Sequence, residues 1–173
     1  MVATRHGRGL SAQFGRAVSG LGAIGRVMAP PVLRIALALP FLRSGLTRWD
    51  PFPSLSLGTR FLFEDQFKLH LFGTVHDLPA PDLLAYVTAC AEIILPVLLL
   101  AGLATRFAAL GLLLMTGVIQ LIVPDGWVNF HLYWAALALG LMAVGPGTLS
   151  LDAVVESLAR RRGMRSIPVR EKA

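Results

Sequence analysis

Long apolar runs, broken by proline, glycine and isolated charges, dominate the chain. A helix needs about 20 mostly apolar residues to cross the hydrocarbon core of a bilayer. Four stretches of this kind follow one another, predicted at Met28 to Trp49, Leu83 to Leu103, Arg106 to Val123 and Asn129 to Val144. Pro30 and Pro31 suit the first turn of a helix, where a missing N–H costs little, and Pro40 is expected to kink the first span. Only Ala104 and Thr105 separate spans two and three, which predicts a tight antiparallel hairpin. Pro124-Asp125-Gly126 reads as a turn, and Gly145-Pro146-Gly147 ends the fourth span. The expected fold is all-α, a polytopic four-transmembrane-helix bundle with a long outer loop between helices 1 and 2.

The segments outside the spans have patterns of their own. In residues 8–28, Leu10, Phe14, Val18, Leu21, Ile24 and Met28 recur at helical spacing, with Arg8, Arg16 and Arg26 on the opposite side. That arrangement suits a helix lying on an anionic bilayer surface, although the glycines there weaken helix propensity and a disordered basic tail is the alternative. Residues 50–80 carry Phe61, Leu62, Phe63, Phe67, Leu69, Leu71 and Phe72, too apolar for a plain solvent loop. This connection is expected to lie in the interface or cap the bundle, with an extended segment and a short helix competing for residues 67–71. After the fourth span, Asp152 to Arg162 predicts a short helix with Glu156 placed to pair with Arg160, and Arg165 to Ala173 a frayed tail. The division is thus a basic segment at 1–29, a membrane domain at 30–147 and a basic tail at 148–173.

Composition agrees with the membrane reading. Of 173 residues, 55% are hydrophobic and only 15% charged, against about a quarter charged in soluble domains. The net charge of +6 sits at the two ends of an apolar body, which argues against nucleic acid as a partner and for the lipid bilayer. Lys and Arg cluster at both termini and at Arg106, whereas the other two loops hold only Arg60 and Lys68 beside Asp50, Glu64, Asp65, Asp77 and Asp125. Positive charge stays inside, so both termini are expected in the cytoplasm. Residues 1–29 lack a continuous apolar core of a signal peptide, so the first span is expected to act as an uncleaved anchor. Cys90 is the single cysteine, which leaves no internal disulfide, no thiol pair and a packing role for that residue.

Ionisable groups inside a bilayer cost about 2.5–3.5 kcal/mol each on insertion scales, so those in the spans are the first candidates. Glu92 lies near the middle of span two, and Arg34 and Arg43 lie in span one. Nine positions apart, the two arginines face opposite ways on a straight helix. Arg34 is the favoured partner of Glu92, with Arg43 snorkelling outward. Such a pair either pins two helices or relays charge. A second cluster, Gln120, Trp127, Asn129, His131, Tyr133 and Trp134, sits at the outer face with His70 and His76 on the same side. Gln120, Trp127 and His131 form a candidate outer pocket that suits a quinone head group, which needs a ring to stack on and hydrogen-bonding groups. An ordinary aromatic belt is the plainer reading. Three histidines on one face suggest copper or zinc only weakly, because no tight ligand spacing accompanies them, and no metal ligand is assigned. No phosphate-binding loop or dinucleotide fingerprint occurs, so the chain is expected to hold no cofactor of its own, quinone aside, and no catalytic residue is assigned.

Several segments together resemble the DoxX family of small bacterial membrane proteins. They are Arg34 with Phe41-Leu42-Arg43-Ser44-Gly45-Leu46-Thr47-Arg48-Trp49, Ala91-Glu92, Gly102-Leu103-Ala104-Thr105-Arg106, and Gly145-Pro146-Gly147 with Leu149-Ser150-Leu151-Asp152. The match spans roughly residues 32–155. Where the family usually has Lys after the Ser-Gly of span one, this chain has Arg48. The resemblance implies a four-helix fold in the bacterial inner membrane. It also implies a loose link to oxidoreductases, because the family takes its name from a subunit of a thiosulfate:quinone oxidoreductase. The long loop and the Pro124 to His131 region look like a subgroup encoded near metal-stress peptide genes. The leading expectation is a membrane subunit that supports quinone-linked redox chemistry with a membrane or periplasmic redox partner. The alternative is a non-enzymatic accessory protein for metal stress or partner-protein handling.

Overall fold

The computed structural model describes residues 5–165, with side chains over residues 13–161. Its elements are α1 (Arg5–Leu46), α2 (Leu57–Phe61), β1 (Lys68–Leu71), β2 (Thr74–Asp77), α3 (Pro81–Ala101), α4 (Thr105–Ile122), α5 (Leu132–Val144) and α6 (Leu151–Arg165). Wider π-type turns extend α2 through Leu62–Gln66 and precede α5 at Trp127–His131. Among the described residues, four helical segments are long and apolar enough to cross a membrane: Gln13–Leu46, Pro81–Ala101, Thr105–Ile122 and Pro124–Val144. Their lipid-facing sides carry Ile94, Val97, Leu114 and Leu139, all exposed, an arrangement that only an apolar solvent stabilises. The chain is a multi-pass membrane protein.

Within lipid, helices associate by close van der Waals contact rather than by escape from water. The buried core follows that rule: Ala38, Ala85, Ala89, Ala108, Ala109 and Ala138 let the helices approach, with Leu37, Leu99, Leu112 and Leu141 filling between them. α1 packs chiefly on α3, and α4 chiefly on α5. Gly45 marks a close approach of α1 to the α3 backbone, since a Cβ there would lie 2.9 Å from the Glu92 backbone.

Residues 47–80 form a built cap at one end of the bundle instead of the expected long loop. Of the two forms open to residues 67–71 the extended one is found, as β1, because Phe72-Gly73, both at positive φ, turn it back onto β2. The short helix α2 lies earlier, capped by Ser56, whose hydroxyl accepts from the Thr59 amide at 3.2 Å. Leu55 and Phe63 from this cap are buried against Ala85 and Ala89 of α3.

The opposite end is closed by the segment after α5. Gly102 (φ +68°) ends α3 by donating its N–H to Leu99 O at 3.0 Å, while Leu103 N–H reaches Leu98 O at 2.9 Å, the Schellman pattern. A Cβ at Gly147 would lie 2.6 Å from Pro30. Pro30 and Pro31 therefore lie inside α1, not at its start. Proline φ is already helical, and the carbonyls that lose their donors, those of Arg26 and Val27, belong to residues exposed beyond the bundle. Residues 13–29 are exposed throughout, so the amphipathic stretch is a helical arm continuous with the first span. Glu156 pairs with Arg160 on α6 as the spacing predicts. The expected frayed tail after residue 165 lies outside the described residues.

Candidate functional site

Glu92 is the most deeply placed acid, its side chain 3% exposed on α3. Its partner is Arg48, not Arg34 or Arg43. Arg48 Nε donates to Glu92 Oε2 at 2.7 Å and Nη2 donates to Oε1 at 2.9 Å, a two-point pairing that matches the guanidinium fork to the carboxylate. Nη2 also reaches Ser44 Oγ at 3.3 Å, one turn back. The Gly45 contact sets this register, because it places the last turn of α1 against Glu92 and so brings Arg48, just beyond that turn, within reach. Arg34 lies at the other end of the bundle, where it donates to the carbonyl of Leu149 and packs against Gly102. Its Nε and Nη1 find no partner among the described residues. Arg43 is exposed.

The Arg48–Glu92 pair forms the polar wall of a cavity of about 240 Å³ in the capped half of the bundle. α1 contributes Phe41 and Ser44, α3 contributes Leu84 and Thr88, α4 contributes Met115, Val118, Ile119 and Ile122, and α5 contributes Trp134. Phe63, Phe67 and Leu78 from the cap roof it. Phe63 also carries the Arg48 guanidinium over its ring at 5.4 Å, a cation–π contact. Phe41 and Trp134 hold each other at 5.0 Å between ring centres. Arg48 Nη1 makes no hydrogen bond among the described residues, so this wall retains donors. The cavity thus offers an apolar, aromatic volume with spare N–H groups at one end, which fits a flat molecule bearing a carbonyl oxygen.

Gln120 and His131 come together, but not in that cavity. His131 Nδ1 donates to Gln120 Oε1 at 2.6 Å, and the Gln120 amide donates to Pro124 O at 2.9 Å. His131 is buried against Gly126, where a Cβ would lie 2.5 Å from its ring. The tight α4–α5 turn, from Gln120 to His131, uses this pair to satisfy itself. Trp127 is 43% exposed and does not line the cavity. The cavity therefore centres on Trp134 and the Arg48 wall, with the His131 ring tilted against Trp134 at 5.4 Å between ring centres. His70 bonds Leu121 O at 3.3 Å and His76 bonds Thr74 at 2.7 Å, so each is engaged separately. No group of three metal-ligating side chains converges among the described residues.

At the uncapped end, Asp152 accepts from the amides of Ala104 (2.7 Å) and Thr105 (2.9 Å), capping α4 from another part of the chain. Burial disfavours the charged form of Asp152, but those amides and the nearby Arg34 charge outweigh it and hold the carboxyl below its usual range.

The family model DoxX matches residues 29–125, more than half of the chain. The chain is also similar to an uncharacterized protein of Haemophilus influenzae, 29% identical over 143 residues that cover 78% of this chain and 88% of the relative. No solved structure matches.

Proposed function

The chain belongs to the DoxX family, and from that premise we propose that it is a membrane subunit that binds a quinone-type head group and supports the redox chemistry of a partner protein. One observation carries the reading: an aromatic cavity with the Arg48–Glu92 pair on its wall and unused donors on Arg48. A quinone carbonyl accepts from Arg48, and its ring lies among Phe41, Phe63, Phe67 and Trp134. When the ring is reduced, its oxygens gain negative charge, and a fixed guanidinium stabilises that charge most where water is scarce. Glu92 and Ser44 hold the guanidinium in place. The chain supplies the binding site, and the electrons come from the partner.

The distribution of Lys and Arg supports a bacterial inner-membrane location with both termini cytoplasmic, which sets the cap and cavity on the outer side. The exposed arm with Arg16 and Arg26 then emerges at the anionic inner surface, which its basic residues favour. Purification from native membranes in mild detergent, with mass spectrometry of bound quinones and proteins, tests the function. A bound quinone together with a stoichiometric redox protein is the expected result. A preparation carrying only bulk lipid, or a metal-binding peptide, would overturn it in favour of an accessory role.

A further inference from the structure

The cavity has four side seams and a roof, and they are not equally closed. Gly45 against Glu92 and the Arg48 ion pair close the seam between α1 and α3. Phe41 against Trp134 closes the seam between α1 and α5. Gln120 bonded to His131 ties α4 to the α5 turn. Phe63, Phe67 and Leu78 lie overhead. The seam between α3 and α4 differs. Away from the cap it is tight, with Leu95 against Gly111, where a Cβ would meet the leucine at 2.9 Å. Towards the cap, Leu84, Thr88 and Glu92 on one helix and Met115, Val118 and Ile122 on the other both line the cavity. No hydrogen bond or ring contact joins the two helices there among the described residues. Val118 lines the cavity and is still 53% exposed, on a surface that faces lipid.

Resting on the reading of this cavity as a ligand site, we propose that it takes its ligand sideways from the bilayer, between the capped halves of α3 and α4. The ligand is a lipid-borne amphiphile whose carbonyl-bearing head lies on Arg48 and whose apolar tail stays in the seam and the membrane. Size agrees with this. At about 240 Å³ the cavity is smaller than the roughly 300–1,000 Å³ pockets that enclose whole drug-sized ligands, so it has room for a head group but not for a long chain. Apolar walls at the seam leave an alkyl tail nothing to desolvate.

The test uses the full-length protein in lipid nanodiscs and two probes with one head group, decylubiquinone and its tail-less counterpart. Val118→Trp fills the seam without touching Arg48. Because Val118 also lines the cavity, the tail-less probe measures any head-group room the new ring takes. The affinity for the tailed probe should fall about tenfold further than that for the tail-less one, an extra loss of roughly 1.4 kcal/mol. Comparing variant with wild type for each probe cancels partitioning into lipid. If wild type binds both probes and the variant weakens both equally or neither, the lateral route is wrong and the site stands. If wild type binds neither, the site itself is wrong, and the route with it. Should Val118→Trp fail to accumulate, Val118→Cys with Cys90→Ala gives a second readout. Its labelling by N-ethylmaleimide should be slowed by the tailed probe but not by the tail-less one, and equal slowing would overturn the route.

Discussion

At the scale of residues, the Arg48–Glu92 pair governs both stability and recognition. Removing one member leaves the other charge buried and unpaired, which costs about 3–5 kcal/mol. Glu92→Gln or Arg48→Met alone should therefore lower accumulation in membranes and the thermal midpoint in detergent. Replacing both by methionine restores an apolar contact and should recover most of that loss, because well-packed apolar groups often match a buried ion pair. Gly45→Ala should destabilise to a comparable degree, since its Cβ has backbone 2.9 Å away that cannot give. The sequence made Glu92 visible as a costly intramembrane acid but pointed to the wrong arginine. Rise counted from a presumed helix start places Arg34 near it, whereas the real depth is set by Gly45 meeting Glu92, a contact that no periodicity reveals. The usable signal was chemical. The family places a basic residue at position 48, four residues after Ser44, as a side chain needed on one face would be.

At the scale of elements, several motifs that invite a functional reading close the bundle. Gly102 to Arg106 and Gly145 to Asp152 meet at the uncapped end, where Asp152 caps α4 and Arg34 holds Leu149 O. Ala104 sits there at φ +49°, a left-handed conformation that costs a non-glycine residue about 1–2 kcal/mol and that the Asp152 bond helps to hold. Asp152→Asn should destabilise by about 1 kcal/mol, because the amide has one acceptor oxygen where the carboxylate uses two, and one hydrogen bond is lost. The pH dependence has a definite sign. Asp152 is held below its unfolded value near 3.9, so its contribution is full above about pH 4 and is lost as pH falls through the lower folded value. The wild-type advantage over Asp152→Asn in thermal midpoint should shrink below that pH. Spans two to four were legible to within a few residues, apart from the turn at Pro124–Gly126, which winds directly into the fourth span. The first was not, because prolines taken as a start sit inside a longer helix. The Gln120–His131 contact brings together two members of the outer cluster, but as the internal tie of a turn. Phe63 and Phe67 escaped notice as cavity residues because their place depends on how the cap folds back over α3.

At the scale of the molecule, the capped half holds the cavity and the other half is packed shut, so the two ends of the bundle have different tasks. With the cap outside and the termini inside, a reporter active only outside the cytoplasm should be active when fused near Leu78 and silent at the C-terminus. The reverse pattern would put the cavity on the wrong side for a periplasmic partner. Four apolar spans and a cap over one end were foreseeable from the run of apolar residues, since both follow from the solvent the chain must meet. The cavity was not foreseeable, because it is the space that five separate segments leave between them.

The claim at the centre is that Arg48 recognises a ligand and does more than pin α1 to α3. The most direct measurement is decylubiquinone binding by the Arg48→Met, Glu92→Met double variant in nanodiscs, alongside its thermal midpoint. A near-normal midpoint with affinity reduced by about tenfold or more, the 1.4 kcal/mol expected of a lost charged hydrogen bond, is the predicted result. A near-normal midpoint with unchanged affinity would make the pair purely structural and contradict the account.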